Sequence, residues 1–464
     1  MLKIVFLFLM AGGLPVAIAM AGSSLLYLLW QQTTPPFVVI HRMVSGIDSF
    51  PLLAVPFFIL AGNLMNNAGI TNRIYNFALA LVGWLKGGLG HVNVLGSVIF
   101  AGMSGTAIAD AAGLGTIEIK AMKDHGYSTE FAVGVTAASA TLGPIIPPSL
   151  PFVIYGMMAN VSVGALFLAG ILPGALMAIL MMLTVAYYAH KNGWGADIKF
   201  DWPRLMKALG ELAVVIGWPL VLWLLVTKAG MPAQATVFAG LVALFALDKW
   251  FKFQAVLPIM TPVLLIGGMT TGLFTPTEGA IAACVWSMVL GLAWYKTLSW
   301  AMFVKVCLDT VETTATVLFI VAAASIFGWM LTATGVTAAI SEWVLAFTKE
   351  PWMFLLLANL LMLFVGCFLE PTAAITILVP ILVPICQKLG IDLVHFGLVM
   401  VLNLMIGLLH PPMGMVLFVL ARVAKLSVER TTMAILPWLV PLLGSLVIIT
   451  YFPKLVLWLP KQFF

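Results

Sequence analysis

Four short segments put hydroxyls, carboxylates, glycines and prolines where long apolar runs would otherwise continue. They are GMSGTAIAD (102–110), TLGPIIPPSLP (141–151), GCFLEPTAAI (366–375) and NLMIGLLHPPMG (403–414). A proline pair removes two amide donors and releases the carbonyls upstream of it. Freed carbonyls and hydroxyls suit Na+, whereas the amino ends of half-helices favour a carboxylate. Together, the four breaks are expected to form one site near the bilayer midplane, with cations near each of two hairpin tips.

Each of these residues also has a plainer reading. Ser104 and Thr106 can bond back to their own helix. Asp110 can cap the second helix of its hairpin instead of holding an ion, and Glu370 is the other carboxylate that needs a partner. His410 reads either as a proton carrier or as a neutral, hydrogen-bonded histidine. A fifth motif, GLFTPTEGA (272–280), lies outside the breaks. There Thr275 or Thr277 is expected to cap a helix beginning at Glu278, just after Pro276, in a structural or gating role.

Breaks of this kind survive only inside protein or beside a polar cavity, because lipid offers backbone groups no partner. The chain supplies the lipid-facing bulk: of 464 residues, 62% are hydrophobic and 8% charged. Ordinary soluble domains carry about a quarter charged residues, so a water-soluble protein is excluded. At roughly 20 residues per span, about 11 to 14 crossings fit, the shorter apolar runs being half-helices or hairpin arms. The stretch 1–30 reads as a retained first span. The net charge of +5 is scattered over loops, which argues against a nucleic-acid surface. Cys284, Cys307, Cys367 and Cys386 sit in apolar runs without metal-ligand spacing and read as packing. No nucleophile motif, Walker sequence or dinucleotide fingerprint occurs, so neither an enzyme nor ATP-driven transport is expected.

The chain also repeats itself. Gly62 and Gly69 match Gly328 and Gly335 at an offset of 266 residues. From Phe100 and Gly102 onward the offset is 264, pairing them with Phe364 and Gly366, and likewise Gly126 with Gly390, Gly143 with Gly407, and Pro147-Pro148 with Pro411-Pro412. Positive charge precedes the first proline-broken helix and follows the second, which argues for inverted repeats. The expected fold is therefore all-α and polytopic, with two re-entrant helical hairpins and two broken helices. Residues 1–189 form the first repeat (hairpin about 90–123, broken helix about 130–158). Residues 190–253 form a connector with two extra spans. Residues 254–464 form the second repeat (hairpin about 351–388, broken helix about 394–420). The segment 254–296 is left as one broken crossing or two.

The ordered motifs SGT-x-x-AD, GY, TLGPIIPPS, FTPTE, FLEPTAAI-x-ILVP, GID-x-VHFG and N-x-x-IGLLHPPMG resemble the large membrane subunit of TRAP (tripartite ATP-independent periplasmic) transporters over about residues 5–460. The resemblance implies an elevator-type, Na+-driven importer of organic acids in the bacterial cytoplasmic (inner) membrane. It also implies two partners, a separate small membrane subunit and a periplasmic solute-binding protein. Carried over, it places the hairpin tips at Ser104-Gly105-Thr106 and Glu370-Pro371-Thr372, and the unwound helices at 143–149 and 407–414. Solute contacts are then expected from Ser104, Gly105, Thr106, Pro147, Pro148, Ser149, Thr372, His410, Pro411 and Pro412. Na+ is expected at Ser104, Asp110, Gly143, Glu370, Asn403 and Gly407. Family members commonly carry a hydroxyl residue where this chain has His410, and often Asp at Glu370. The competing reading is a stand-alone anion/Na+ symporter or Na+/H+ exchanger with a similar inverted fold.

Overall fold

The computed structural model describes residues 2–32, 34–228, 232–253, 255–270, 274–410 and 414–463, and every regular element among them is helical. The first apolar stretch differs from the expected single span. It is two helices, α1 (Leu2–Ala11) and α2 (Val16–Gln31), folded back on one another so that Leu9 reaches Gly22. Gly13 makes the reversal at φ +82°, a conformation open mainly to glycine, and Pro15 then opens α2. After α3 (Phe37–Ile47) and a 3-10 turn at Phe50–Leu53 come α4 (Ala54–Asn67) and α5 (Ile70–Val82).

The first hairpin follows as α6 (Gly88–Ser104), α7 (Ala107–Ala112) and α8 (Leu114–Asp124), with α6 packed against α8. The broken helix is α9 (Thr129–Ala140) and α10 (Leu150–Ala159), and the long α11 (Val163–Lys191) follows it. The connector then supplies α12 (Trp202–Thr227) and α13 (Ala233–Phe251). Residues 254–296 hold two helices, α14 (Val256–Thr270) and α15 (Pro276–Met288), rather than one broken crossing. They run antiparallel, since Trp286 Nε1 donates to Leu257 O (3.1 Å) and Leu265 packs on Gly279.

In the second half come α16 (Trp300–Ala333) and α17 (Val336–Phe347), then the second hairpin, α18 (Pro351–Gly366) and α19 (Pro371–Lys388). The second broken helix is α20 (Leu393–Gly407) and α21 (Met415–Ala424). It is followed by α22 (Val428–Ile435), α23 (Leu439–Tyr451), α24 (Pro453–Leu457) and α25 (Pro460–Phe463). Four of the described helices, α11, α12, α16 and α19, and two continuous helical stretches, Pro276–Trp294 and Val428–Tyr451, are long and apolar enough to cross a membrane alone. Of the hairpin arms and half-helices, α6, α10, α18, α20 and α21 are among the shorter apolar ones, whereas the second hairpin's α19 is itself long and apolar enough to cross.

The repeat seen in sequence has a local structural basis. Gly69 and Gly335 open α5 and α17 at φ +69° and +70°, and Gly126 and Gly390 turn the chain before each broken helix at φ +83° and +68°. Caps repeat in the same register. Thr106 and Glu370 accept from the amides of Ala109 and Ala373, and Ser128 and Asp392 cap α9 and α20.

The connector is fastened to the first hairpin at one carboxylate. Asp197 Oδ2 accepts from Leu89 N (2.8 Å) at the start of α6 and from the Tyr127 hydroxyl (2.6 Å). Burial and this bond to Asp197 push the Tyr127 phenol well above its ordinary value, so it stays a donor. Asp197→Ala removes both bonds, and thermal melts of the purified protein are expected to report a loss of about 1–2 kcal/mol.

Candidate functional site

Gly105, at φ +64°, ends α6 and starts the first tip. A Cβ on Gly105 would stand 2.9 Å from Pro148 O, and one on Gly143 would stand 3.2 Å from Thr106 O. The tip backbone therefore lies directly on the proline break between α9 and α10. Thr106 Oγ1 accepts from Ala109 N at 3.3 Å, so Thr106 caps α7 and Asp110 does not. Ser149 Oγ accepts from Phe152 N (3.3 Å) and donates to Pro144 O (2.5 Å). Those bonds close the unwound loop around the cis Pro147-Pro148 bond and turn the start of α10 toward the tip.

The second tip is built alike. A Cβ on Gly407 would fall 2.7 Å from Cα and C of Gly366, which places the end of α18 against the end of α20. Glu370 Oε2 accepts from Ala373 N (3.3 Å) and Oε1 from the Thr372 hydroxyl (2.8 Å), so the carboxylate caps α19. Cys367 Sγ lies 3.3 Å from His410 Nδ1, bridging tip and break. Pro411, Pro412 and the Ser104 side chain lie outside the described residues. The two halves interlock crosswise: α7 packs on α21, and α10 packs on α19. This crossing gathers the four breaks into one region.

Behind the tips, buried polar clasps join each hairpin to its broken helix. In the first half, Asn93 Nδ2 donates to Glu118 Oε2 (2.5 Å) and Thr136 Oγ1 (2.8 Å), and Ser139 Oγ donates to Asn93 Oδ1 (2.8 Å). In the second, Asn403 Nδ2 donates to Asn359 Oδ1 (2.8 Å) and Asn359 O (3.0 Å), and Asn359 Nδ2 reaches Thr450 Oγ1 (3.1 Å) on α23. Asn93 and Asn359 are 266 residues apart, and Ser139 and Asn403 are 264 apart, in step with the two repeat offsets. The sequence reading passed over Asn93, Asn359, Ser139 and Glu118, although that register was enough to pair the first three. Glu118 carried no such mark, because it precedes Lys120 and reads as part of a charged helix end.

Several buried oxygens still lack hydrogen-bond partners. Asp110 Oδ2 and Asn403 Oδ1, both on sequence-selected residues, are among them. A hard cation takes oxygen ligands of this kind, so these two positions fit Na+. Glu370 differs, since Oε2 caps α19 and Oε1 accepts from the Thr372 hydroxyl. The motif at Thr275–Glu278 is not brought to the breaks. Its helix begins at Pro276, earlier than expected, behind a capping box in which Thr275 Oγ1 accepts from Glu278 N (3.3 Å) and Glu278 Oε2 accepts from Thr275 N (2.7 Å). Thr277 donates to Phe50 O (3.2 Å), tying α15 to the turn before α4. The four cysteines are free thiols.

Comparison with known proteins gives a consistent result. The family model "Tripartite ATP-independent periplasmic transporter, DctM component" matches residues 3–455. The chain is 41% identical to the sialic acid TRAP transporter large permease protein SiaM of Vibrio cholerae, covering 98% of this chain and 96% of that protein. It is 32% identical to the C4-dicarboxylate TRAP transporter large permease protein DctM of Rhodobacter capsulatus, covering 98% and 96%. Among solved structures, the YdaH transporter of Alcanivorax borkumensis shares the fold with a TM-score of 0.57 at 16% identity, over 92% of this chain and 89% of that one.

Proposed function

Because the chain belongs to the DctM component family of the tripartite ATP-independent periplasmic transporters, we propose that it is the large permease subunit of a Na+-coupled importer of carboxylate-bearing solutes. It is a multi-pass bacterial inner-membrane protein and not an enzyme. In the proposed cycle a periplasmic binding protein delivers the solute, and a small membrane subunit completes the permease. Na+ bound near the two tips orders the hairpin backbone. The half-helix starts at α7 and α19 then aim amides and hydroxyls at the carboxylate. The hairpins are read as re-entrant and the repeats as inverted, and the interlocked block of hairpins and broken helices moves as one body against the remaining helices.

The observation that carries this reading is the seating of each tip on its own broken helix, at Gly105–Pro148 and Gly366–Gly407. A site closed by two such contacts opens to either side only if both move together. Sialic acid is the first solute to test, since two of the relatives, at 41% and 39% identity, carry that name. In liposomes holding both membrane subunits, uptake is expected only with an inward Na+ gradient and the binding protein present. Equal uptake with the Na+ gradient collapsed would sink the coupling, and uptake without the binding protein would favour a stand-alone carrier.

A further inference from the structure

The first hairpin is interrupted a second time, away from its tip. Between α7 and α8 the chain bends at Gly113, and three oxygens shut off from solvent near this bend have no hydrogen-bond partner: Asp110 Oδ2, Glu118 Oε1 and Asn66 Oδ1. Asp110 and Glu118 are each only 1% exposed. Asn66 reaches in from α4, and a Cβ on Gly113 would stand 3.0 Å from its Oδ1. A hydrogen-bonded chain through Ser97, Ser139 and Asn93 links the two carboxylates. No basic side chain pairs with either among the described residues.

Burying two carboxylates without a counter-charge is costly, so protons or a cation must balance them. Hydrogen-bond geometry separates the two options. Glu118 Oε2 already accepts from Asn93, so Oε1 is the oxygen left without a partner. Asp110 Oδ1 has only the Ser97 hydroxyl, at 3.5 Å, and Oδ2 has nothing. A proton shared between two of these oxygens would still leave the third without a partner. All three orphan atoms are oxygens, which is the deficit a hard cation fills. No cluster of three or more His, Cys, Asp or Glu side chains exists among the described residues, which disfavours a transition metal.

We propose that the α7–α8 bend holds a Na+ ion drawing its charge from Asp110 and Glu118, with Asn66 supplying a neutral oxygen. One Na+ balances one carboxylate, and the Asn93 amide supports the charge that remains on Glu118. The site belongs to the first repeat alone, because the positions 264 residues on are Ala374 and Leu382. It is therefore distinct from any pair of sites built symmetrically at the two tips. The proposal deepens the Na+ reading of Asp110 and rests on it.

Thermal melting of the purified protein in choline chloride, titrated with NaCl, tests the site. The wild type is expected to gain stability with Na+. In Glu118→Gln and Asp110→Asn the half-maximal Na+ concentration should rise roughly tenfold or more. Asn66→Ala, which keeps both charges, should shift it by a smaller factor. Without Na+, Glu118→Gln should melt no lower than wild type, since an uncompensated charge has been removed. Wild-type Na+ responses in both carboxylate variants overturn the site, and so does a Glu118→Gln protein that melts far below wild type in choline. Failure here is separable from failure of the transport reading. Gradient-independent uptake with an intact Glu118-dependent Na+ shift defeats only the coupling, whereas Na+-driven uptake with no such shift defeats only this site.

Discussion

Gly407→Ala is expected to lower reconstituted uptake by roughly tenfold or more and to depress the melting temperature, because the added methyl group meets backbone. Its nearest neighbours would be Cα, C and O of Gly366, at 2.7 to 2.9 Å. A flexible side chain could swing away from such a contact, but the end of a helix cannot. Overpacking of this kind typically costs about 1–3 kcal/mol, and here the strain separates the second tip from its broken helix. The reciprocal change, Gly366→Ala, is milder, since its Cβ would stand 3.2 Å from Gly407 Cα. Gly444→Ala on α23 is the control, for nothing lies within 4 Å of its Cβ position. That variant should keep uptake and gain up to about 1 kcal/mol from the lost glycine flexibility. If Gly407→Ala transports and melts like the control, the close seating of tip on break is not required for the cycle.

What the sequence revealed, and what it hid, follows from how each feature is encoded. Breaks are local: a Pro-Pro pair or a Gly-Thr interruption in an apolar run forces a helix end whatever surrounds it, so 102–110, 141–151 and 366–375 were legible directly. Glycines at positive φ are equally local, and Gly69, Gly126, Gly335 and Gly390 carry the repeat for that reason. Partnership is not local. Glu370 reads as an ion ligand because an intramembrane carboxylate needs a partner, and the partners it has are the hydroxyl two residues onward and the amide three residues onward. The fold-back of 2–31 was missed because hydropathy does not distinguish one span from a short pair of helices, and only Gly13 and Pro15 mark the turn. Glu118 was missed because its burial depends on α6 and α9 closing over it.

The neutral clasp of the second half gives the other large effect. Asn403, fully buried on α20, spends both amide hydrogens on Asn359 of α18. Asn403→Leu leaves Asn359 Oδ1 without its donor within the core, a loss of about 1–3 kcal/mol. The hairpin arm would then slide on the half-helix, and uptake should fall with stability. Asn359→Leu removes the same contact from the other side and also frees Thr450. A double-mutant cycle on melting free energies isolates the pair, and a coupling of about 0.5–3 kcal/mol is expected for residues in one network. Because Ser139 and Asn93 hold the equivalent places, Ser139→Ala should couple to Asn93→Ala in the first half in the same way. Additive effects in both halves would show that hairpin and broken helix are held by apolar packing alone. Coupling in both would mean that each repeat carries its own latch, and that a moving block must keep the two latches closed together.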